Sequence, residues 1–199
     1  EKVFSQSLTA DFSKVEKLTK KLYSKIKYAK KIKILTPSGT NIVLSPRKWI
    51  LDTGIIKKGS VANLPAGEIF CAPLEIKTDG VLIIDSMQDN GEVYAPKGTS
   101  IVIIDGKAAI IAGKSKLEHY FRTIKNSTNV AEFSIGTNYK AKIIGNILQD
   151  EKVLGTAHIA FGSNFDFGGK VKSGMHLDTI LFKPTIYADK KLIMRRGKL

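Results

Sequence analysis

The sequence predicts an α+β fold, a β-rich mixed-sheet domain with few helices, and three observations lead to this class. Hydrophobic residues make up 43% of the 199 residues, which is a globular composition. Short runs of β-branched and aromatic residues, separated by Gly, Pro and Asp, follow one another at close spacing. Only two segments repeat apolar residues at helical steps. We expect residues 1–199 to form one metal-binding catalytic-type domain.

The N-terminal helix is predicted from apolar residues that recur at three- and four-residue steps. The residues with this spacing are Val15, Leu18, Leu22, Ile26 and Ala29. Lysines occupy most other positions of residues 14–34, so the pattern is that of an amphipathic helix with a solvated lysine face. Asp11 or Ser13 is the expected N-cap, with Glu16 in the first turn.

Short strands and one further helix are predicted along the rest of the chain. KIKIL (31–35) and NIVLS (41–45) predict a hairpin around the turn PSGT. After the loop-rich residues 52–67, strands are predicted at EIFCAP, GVLIID, TSIVIID, KAAIIAG, VAEFSIG and HLDTILF. KSKLEHYFRTIKNS (114–127) has helical spacing, whereas residues 145–162 fit a helix or a strand. The last residues, from Thr185, predict a hairpin that turns near Asp189.

Charge and cysteine content narrow the function classes. The 32 Lys and Arg residues against 18 Asp and Glu residues give a net charge of +14. Much of this excess lies on the predicted helix, so we interpret it as a solvated face, as in proteins of heat-loving organisms. Polyanion binding is the alternative. No RNA-binding aromatic signature or zinc-finger spacing supports it, so we do not expect a nucleic-acid partner.

No apolar run approaches the ~20 residues that span a bilayer, so we expect no membrane association. One cysteine, Cys71, excludes an internal disulfide framework and is predicted to be a buried strand residue. With no secretory leader in the sequence, we expect a cytoplasmic protein. The first residue is Glu1, which fits either a processed product or a fragment.

His176 and Asp178 are the first sign of a functional site. Residues i and i+2 of a strand project to the same face, so both side chains can bind one metal ion. The pair alone fits a surface ion pair equally well. His158 strengthens the metal hypothesis, because glycines and small residues that permit close backbone approach surround it. His119 falls on the polar side of a predicted helix and is interpreted as a surface residue.

Carboxylates in apolar segments point to the same chemistry. Glu68 precedes an apolar strand, and Glu132 interrupts the run VAEFSIG. A buried carboxylate is costly unless a cation compensates it, although Glu132 could also face outward from an edge strand. Glu151 fits either a charged loop or a metal site. The sequence contains no P-loop, nucleophile elbow or dinucleotide-binding turn.

Four motifs together resemble a known family. NLPAGE, AEFSIGTN, DEKVLGTAHIAFGSN and HLD occur in the order found in the metal-binding part of the aminopeptidase T/aminopeptidase S metallopeptidases. The resemblance covers roughly residues 35–199 and is closest to the leucyl aminopeptidase-related branch. Typical members are longer at the N-terminus, so the resemblance implies a short member or a C-terminal portion of a longer protein.

The resemblance implies a two-metal site and a homodimer. The family's metal ligands fall on Glu68, Glu132, His158, His176 and Asp178. Its further metal-binding glutamate falls on Val153, so Glu151 is the candidate replacement. Its active-site tyrosine falls on Phe165, which cannot donate a hydrogen bond to an oxyanion.

Three functions follow as hypotheses. The first is an aminopeptidase-like hydrolase that binds two divalent ions, zinc, cobalt or manganese, and acts on a peptide or small molecule. In it, Glu68 and Glu132 take part in catalysis and Glu132 bridges the ions. The second is a dihydroxypyridine-type ring-cleaving dioxygenase, with one iron bound by His158, His176 and Asp178. The third is a basic, non-enzymatic binding protein.

Overall fold

The computed structural model describes residues 6–56, 63–110, 112 and 115–199. Within these residues the helices are α1 (Phe12–Ile26), α2 (Lys116–Thr123) and α3 (Ile147–Asp150), with a 3₁₀ turn at Phe165–Phe167. The strands are β1 (Ile32–Leu35), β2 (Asn41–Pro46), β3 (Ile50–Asp52), β4 (Glu68–Cys71), β5 (Pro73–Ile83), β6 (Gln88–Asp89), β7 (Glu92–Val93), β8 (Ser100–Ile104), β9 (Lys107–Ile110), β10 (Val130–Gly136), β11 (Thr156–Gly162), β12 (His176–Phe182), β13 (Thr185–Ala188) and β14 (Lys191–Met194).

Two antiparallel sheets build the fold. The seven-stranded sheet has the order β14-β13-β1-β2-β5-β8-β9, and the five-stranded sheet has the order β12-β11-β10-β4-β3. Strands β6 and β7 form a two-stranded ribbon that pairs with neither sheet. Because β10 and β11 are central strands, every residue of both is buried. Both faces of the five-stranded sheet are therefore covered at its centre.

One continuous core cluster draws its side chains from both sheets and from α1. The five-stranded sheet contributes alternate residues of its strands, among them Ile69, Phe133, Ile135, Ile159 and Phe161. Side chains alternate along a strand, so the residues between these point to the opposite face. That opposite face carries the polar residues described below.

Helix α1 confirms the predicted amphipathic pattern. Asp11 is the N-cap, and its carboxylate accepts hydrogen bonds from the backbone N–H groups of Ser13 and Lys14. Val15, Leu22 and Ile26 are buried against the core. Carboxylate caps of this kind satisfy donors that the first helical turn leaves without a partner.

The fold class is confirmed, and the predicted strands 130–136 and 176–182 have the predicted bounds. Other predicted elements are present with shifted ends, and β3, β6 and β7 are not predicted. The segment 145–162 contains both alternatives, since α3 is followed by β11. The β1–β2 and β13–β14 hairpins pair as predicted. Residues 57–62 of the predicted loop, and 111, 113 and 114 near the predicted start of α2, lie outside the described residues. No described helix is long and apolar enough to cross a membrane.

Candidate metal centre

The predicted ligands of three adjacent strands lie on one face of the five-stranded sheet. Ala160 of β11 is opposite Glu132 of β10 on one side and opposite Asp178 of β12 on the other. His158 lies two residues before Ala160 and therefore projects to the same face as these carboxylates. His176 projects with Asp178 for the same reason, as the sequence predicts.

Small residues leave room for this cluster. Gly162 is the cross-strand partner of His176, and Gly136 is the partner of Glu68. A Cβ atom on Gly136 would lie 2.2 Å from the carbonyl oxygen of Val153. Only a glycine therefore lets the segment around Val153 cross the sheet at this point, which brings that segment to the predicted ligands.

Two imidazoles and two carboxylates converge at the centre of the face. Nε2 of His158 lies 3.2 Å from Glu132 Oε1 and 3.5 Å from Asp178 Oδ1. Nε2 of His176 lies 3.4 Å from Glu132 Oε2 and 3.5 Å from Asp178 Oδ1. We call these four residues the four-ligand group.

These distances fit a bound divalent ion. Ligand atoms at about 2.1 Å from an ion, at the corners of a tetrahedron, lie roughly 3.4 Å apart, given the usual zinc–nitrogen and zinc–oxygen bond lengths. The four N···O distances of the group lie between 3.2 and 3.5 Å. Imidazole nitrogens and carboxylate oxygens are donors that zinc, manganese, cobalt and iron accept. Glu132, His176 and Asp178 lie close enough together to hold one such ion, and Glu68, Glu132 and His158 form a second set that shares Glu132.

The outer nitrogen of His176 is fixed by the backbone. Its Nδ1 lies 2.8 Å from the carbonyl oxygen of Ser163, which can only accept a hydrogen bond, so Nδ1 carries the proton. In the neutral ring Nε2 is then left with its lone pair directed at Glu132 and Asp178. Metal-binding histidines are commonly oriented by such a bond. Nδ1 of His158 has no hydrogen-bond partner among the described residues, so its ring is held by packing and by Nε2.

The neighbouring charges act on the metal-free site. Burial alone would lower the pKa of both histidines, but the facing carboxylates outweigh it. The pKa of His158 rises to about 9 and that of His176 to about 11. Burial would raise the pKa of Glu132, yet its hydrogen bonds from His158 and His176 lower it. In the absence of metal, protons on the histidines thus compensate the carboxylates.

Glu68 lies beside the four-ligand group and contacts a lysine that the sequence analysis did not single out. Lys152 Nζ lies 2.5 Å from Glu68 Oε1 and 2.5 Å from Glu151 Oε1. The hydroxyl of Ser134 donates to Glu68 Oε2 at 2.7 Å. Lys152 is 1% exposed. Its sequence context is charged and typical of a solvated loop, so no signal in the sequence reveals it.

Glu68, Glu151 and Lys152 form a second cluster, in which the charged groups shift one another's pKa values. Burial would raise the pKa of Glu68, but Lys152 and His158 lower it. Burial would lower the pKa of Lys152, but Glu68 and Glu151 raise it, so the group is an ammonium. Burial and the charge of Glu68 raise the pKa of Glu151 to about 8. At neutral pH the cluster is therefore one carboxylate, Glu68, and one largely protonated carboxyl group, Glu151, on either side of the Lys152 ammonium.

A cleft of about 200 Å³ opens onto the four-ligand group at the edge of the sheet. The residues that line it are Gln88, Asp89, Tyr94, Ile147, His176, Leu177 and Asp178. The His176 side chain is 32% exposed, whereas His158 is buried. A small molecule can therefore reach the group from the His176 side.

Comparison with known families decides the classification. The model of the thermophilic metalloprotease family (M29) matches residues 7–181. The chain belongs to this family. Its members are metalloproteases, so membership implies a divalent metal cofactor, for which Glu132, His176 and Asp178 provide suitable donors. A search of curated protein sequences found no match.

Two solved structures are similar to this M29 chain. 2,5-dihydroxypyridine dioxygenase from Pseudomonas putida KT2440 has a TM-score of 0.83 and 19% identity, covering 100% of this chain and 62% of its own. Wild-type AmpT from Thermus thermophilus has a TM-score of 0.75 and 20% identity, covering 99% of this chain and 57% of its own. The chain thus spans about three fifths of the length of each. At these identities the likeness shows the fold alone.

The two departures from the family pattern have structural counterparts. Val153 lies beside Gly136, and Glu151 instead offers an oxygen within 4.8 Å of ligand atoms of His158 and Asp178. Phe165 is 49% exposed, with the ammonium of Lys172 over its ring. The ring that contacts the site is Phe167, whose centroid lies 5.7 Å from that of His176. Neither phenylalanine can donate a hydrogen bond to a reacting oxygen.

The remaining sequence predictions concern residues outside the centre. His119 is exposed on α2, as predicted. Cys71 is fully buried, and burial raises the pKa of its thiol well above the ordinary value. The interpretation of Glu132 as an outward-facing edge residue is excluded, because Glu132 is 7% exposed on a central strand.

Proposed function

We propose that this M29 chain is a metal-dependent hydrolase of the aminopeptidase type, which removes N-terminal residues from peptides. One observation carries the proposal: the predicted ligands His158, His176, Asp178 and Glu132 converge, and Glu132, His176 and Asp178 lie close enough together to hold a divalent ion. Membership of a metalloprotease family supports the same reaction class. The similarity to AmpT agrees with it at the level of the fold.

The four-ligand group would hold the ion at the inner end of the cleft. A divalent ion held there supplies Lewis-acid chemistry, lowering the pKa of a coordinated water and polarising a substrate carbonyl. Glu132 contacts both histidines and is the carboxylate best placed to hold a proton beside the reacting atoms. Glu68, the other carboxylate assigned to catalysis, has both oxygens engaged by Lys152 and Ser134, so we propose that it positions Lys152.

The cleft suits the end of a peptide. Asp89 and Asp178 place negative charge at its wall, which attracts a free α-ammonium. Ile147, Leu177 and Tyr94 supply apolar surface for one side chain. The lining is thus complementary to an N-terminal residue with an apolar side chain. This agrees with assignment to the leucyl aminopeptidase-related branch, which we also propose.

Several finer properties complete the proposal. We propose zinc, cobalt or manganese as the ion, because each accepts imidazole and carboxylate donors. We also propose a homodimer, which the family resemblance suggests, and a cytoplasmic location, which the single cysteine favours. The continuous core is compatible with residues 1–199 forming one domain. Size-exclusion chromatography with light scattering tests the dimer.

Peptide hydrolysis tests the proposed reaction. The purified chain is stripped with a chelator, loaded with zinc, cobalt or manganese, and assayed with leucine and alanine p-nitroanilides and with short peptides. Release of the N-terminal residue should appear on loading and vanish in His176→Ala. Metal-loaded protein that leaves all of these substrates intact would contradict the proposal. N-terminally acetylated peptides are the substrate control and should remain uncut.

A mononuclear ring-cleaving dioxygenase is the second candidate, and a specific observation favours it. His158, His176 and Asp178 form a set of two histidines and one carboxylate, which is the ligand set of non-haem iron(II) oxygenases. The similarity to 2,5-dihydroxypyridine dioxygenase supports this candidate at the level of the fold. The cleft is also lined by Tyr94, which can pack against an aromatic ring.

Oxygen consumption separates the two candidates. Iron(II)-loaded protein is mixed with dihydroxylated pyridines and benzenes in an oxygen electrode. Uptake that depends on iron and on the ring, without p-nitroanilide hydrolysis, supports the dioxygenase. Hydrolysis without uptake supports the aminopeptidase.

A further inference from the structure

Lys152 occupies a position that a metal ion would suit. Its ammonium lies between two buried carboxylates, at 2.5 Å from an oxygen of Glu68 and 2.5 Å from an oxygen of Glu151. A third carboxylate oxygen, Oδ2 of Asp52, lies 4.0 Å away. Carboxylates that converge on one point bind a divalent cation when no other cation compensates them. Here a side chain of the protein already does so.

The backbone holds Lys152 in this position. Its N–H donates to the carbonyl of Gln149 at 3.0 Å, and its carbonyl accepts from the N–H of Asn138 at 2.8 Å. The same segment crosses the sheet above Gly136. Because the backbone is fixed on both sides and the side chain is buried, the ammonium cannot swing into solvent without disrupting the site.

His158 can serve only one ion, since a single ring nitrogen faces the carboxylates. Its Nε2 lies nearest to Glu132, at 3.2 Å, and then to Asp178, at 3.5 Å. Glu68 Oε2 is more distant, at 3.9 Å, and accepts a hydrogen bond from Ser134. His158 therefore lies closer to Glu132 and Asp178 than to Glu68. Glu68 and Glu151 are the predicted ligands that remain, and Lys152 lies between them.

We propose that the ammonium of Lys152 takes the place of a second metal ion, so that the centre binds one divalent ion per chain. An ion held by Glu68, either with Glu151 or with Glu132 and His158, would compete with the Lys152 ammonium for the oxygens of Glu68. It would also lie within a few ångströms of the ammonium, and two cations that close repel strongly at a buried site. This inference rests on the metal site proposed above and corrects its expected number of ions.

Metal content of the wild-type chain is the first test. The protein is saturated with manganese or zinc, freed of excess ion by gel filtration, and analysed by elemental mass spectrometry. One ion per chain is expected. Two ions per chain in the wild type would overturn the inference.

Removal of the ammonium is the second test. In Lys152→Met and Lys152→Gln, the Glu68–Glu151 pair loses its cation, so saturation should yield two ions per chain instead of one. Lys21→Met, which removes an exposed lysine of α1, is the matched control and should still bind one. If both Lys152 variants still bind one ion, the inference is overturned, because the lysine would then not be what excludes a second ion.

A buried-charge variant can fail to fold without metal, and this outcome is also informative. The same titration is then followed by circular dichroism. Recovery of the native spectrum with two ions per chain is expected, whereas recovery with one ion or no recovery overturns the inference. The metal count and the peptidase assay test different claims. Two ions per wild-type chain together with peptide hydrolysis would refute the role of Lys152 but not the peptidase. One ion per wild-type chain without hydrolysis would refute the peptidase but not the role of Lys152.

Discussion

At the scale of single residues, the site depends on how each ring nitrogen is engaged. The carbonyl of Ser163 accepts the Nδ1 proton of His176, which leaves Nε2 of the neutral ring as a donor to metal. His158 reaches the same carboxylates through its own Nε2. Both histidines therefore present the same atom to one point, where Glu132 and Asp178 supply the negative charge.

Loss of one of these nitrogens should abolish tight metal binding. His176→Ala is expected to weaken the affinity for zinc or manganese by about 100-fold or more, since even partners outside the ligand set typically contribute 10–100-fold. His119→Ala is the matched control, because His119 is exposed on α2 and distant in sequence from the centre. Isothermal titration calorimetry measures both. Equal affinities of the two variants would contradict the assignment of His176.

Metal affinity should rise with pH. In the metal-free chain the pKa of His158 is raised to about 9 and that of His176 to about 11, so both rings are protonated at pH 7. Because metal binds the neutral ring, each ion displaces protons, and their competition weakens as pH rises towards 9. The protons themselves stabilise the metal-free fold fully below pH ~6.5, and this contribution is lost as pH rises through the folded pKa values.

Calorimetry at pH 6.5, 7.5 and 8.5, in buffers of different ionisation enthalpy, measures the affinity and the protons released on binding. Tighter binding and fewer protons released at higher pH are expected. An affinity that stays constant or falls over this range would show that the histidines are not ligands.

At the scale of elements, three neighbouring strands position the four-ligand group, and glycine permits a fourth segment to complete the site. Strands β10, β11 and β12 pair so that Ala160 lies between Glu132 and Asp178. Gly136 permits the segment 152–153 to cross the face within van der Waals distance. The strands thus place the proposed metal ligands, while this crossing places Lys152 and Glu151.

A methyl group at Gly136 should displace the crossing segment. In Gly136→Ala the new Cβ would lie 2.2 Å from the Val153 carbonyl oxygen, so the backbone must shift. We expect a loss of about 1–3 kcal/mol in the free energy of unfolding, as for other overpacked sites, together with weaker metal binding. Gly174→Ala is the control, since its Cβ would meet Ile124 at an ordinary 3.6 Å. Urea denaturation compares them, and equal stability would exclude the steric role of Gly136.

Much of the site could be predicted from the sequence because it depends on strand periodicity. Two-residue spacing predicts that His176 and Asp178 project together, although the pair alone also fits a surface ion pair. The apolar run around Glu132 indicates a buried carboxylate, with an outward edge position as the alternative. Lys152 could not be predicted, because its burial results from a chain crossing that only the tertiary structure reveals. Glu151 is a candidate through the family resemblance, whereas its charged neighbours alone suggest a solvated loop equally well.

At the scale of the whole molecule, metal binding should stabilise the fold. The four-ligand group joins strands that are separated by many residues in the sequence, so an ion that binds only the folded chain shifts the folding equilibrium. The lysine face of α1 lies apart from these ligands in the sequence and accounts for much of the charge of +14. Its interpretation as a solvated surface rather than a polyanion site remains a prediction.

Thermal unfolding measures this stabilisation. Free metal at 100 times its Kd should add about 2.7 kcal/mol and raise Tm by roughly 5–10 °C for a chain of this size. A chelator should reverse the shift, and His176→Ala should show none. A wild-type Tm that does not respond to metal would contradict binding at the four-ligand group.

The most direct test of the central claim is an anomalous difference map from crystals of the wild-type chain grown with manganese or zinc. The account predicts one strong peak, at about 2.0–2.2 Å from Nε2 of His158, Nε2 of His176 and an oxygen of Asp178. No peak between Glu68 and Glu151 is expected. A map without a peak at the two histidines, at saturating metal, would contradict the account.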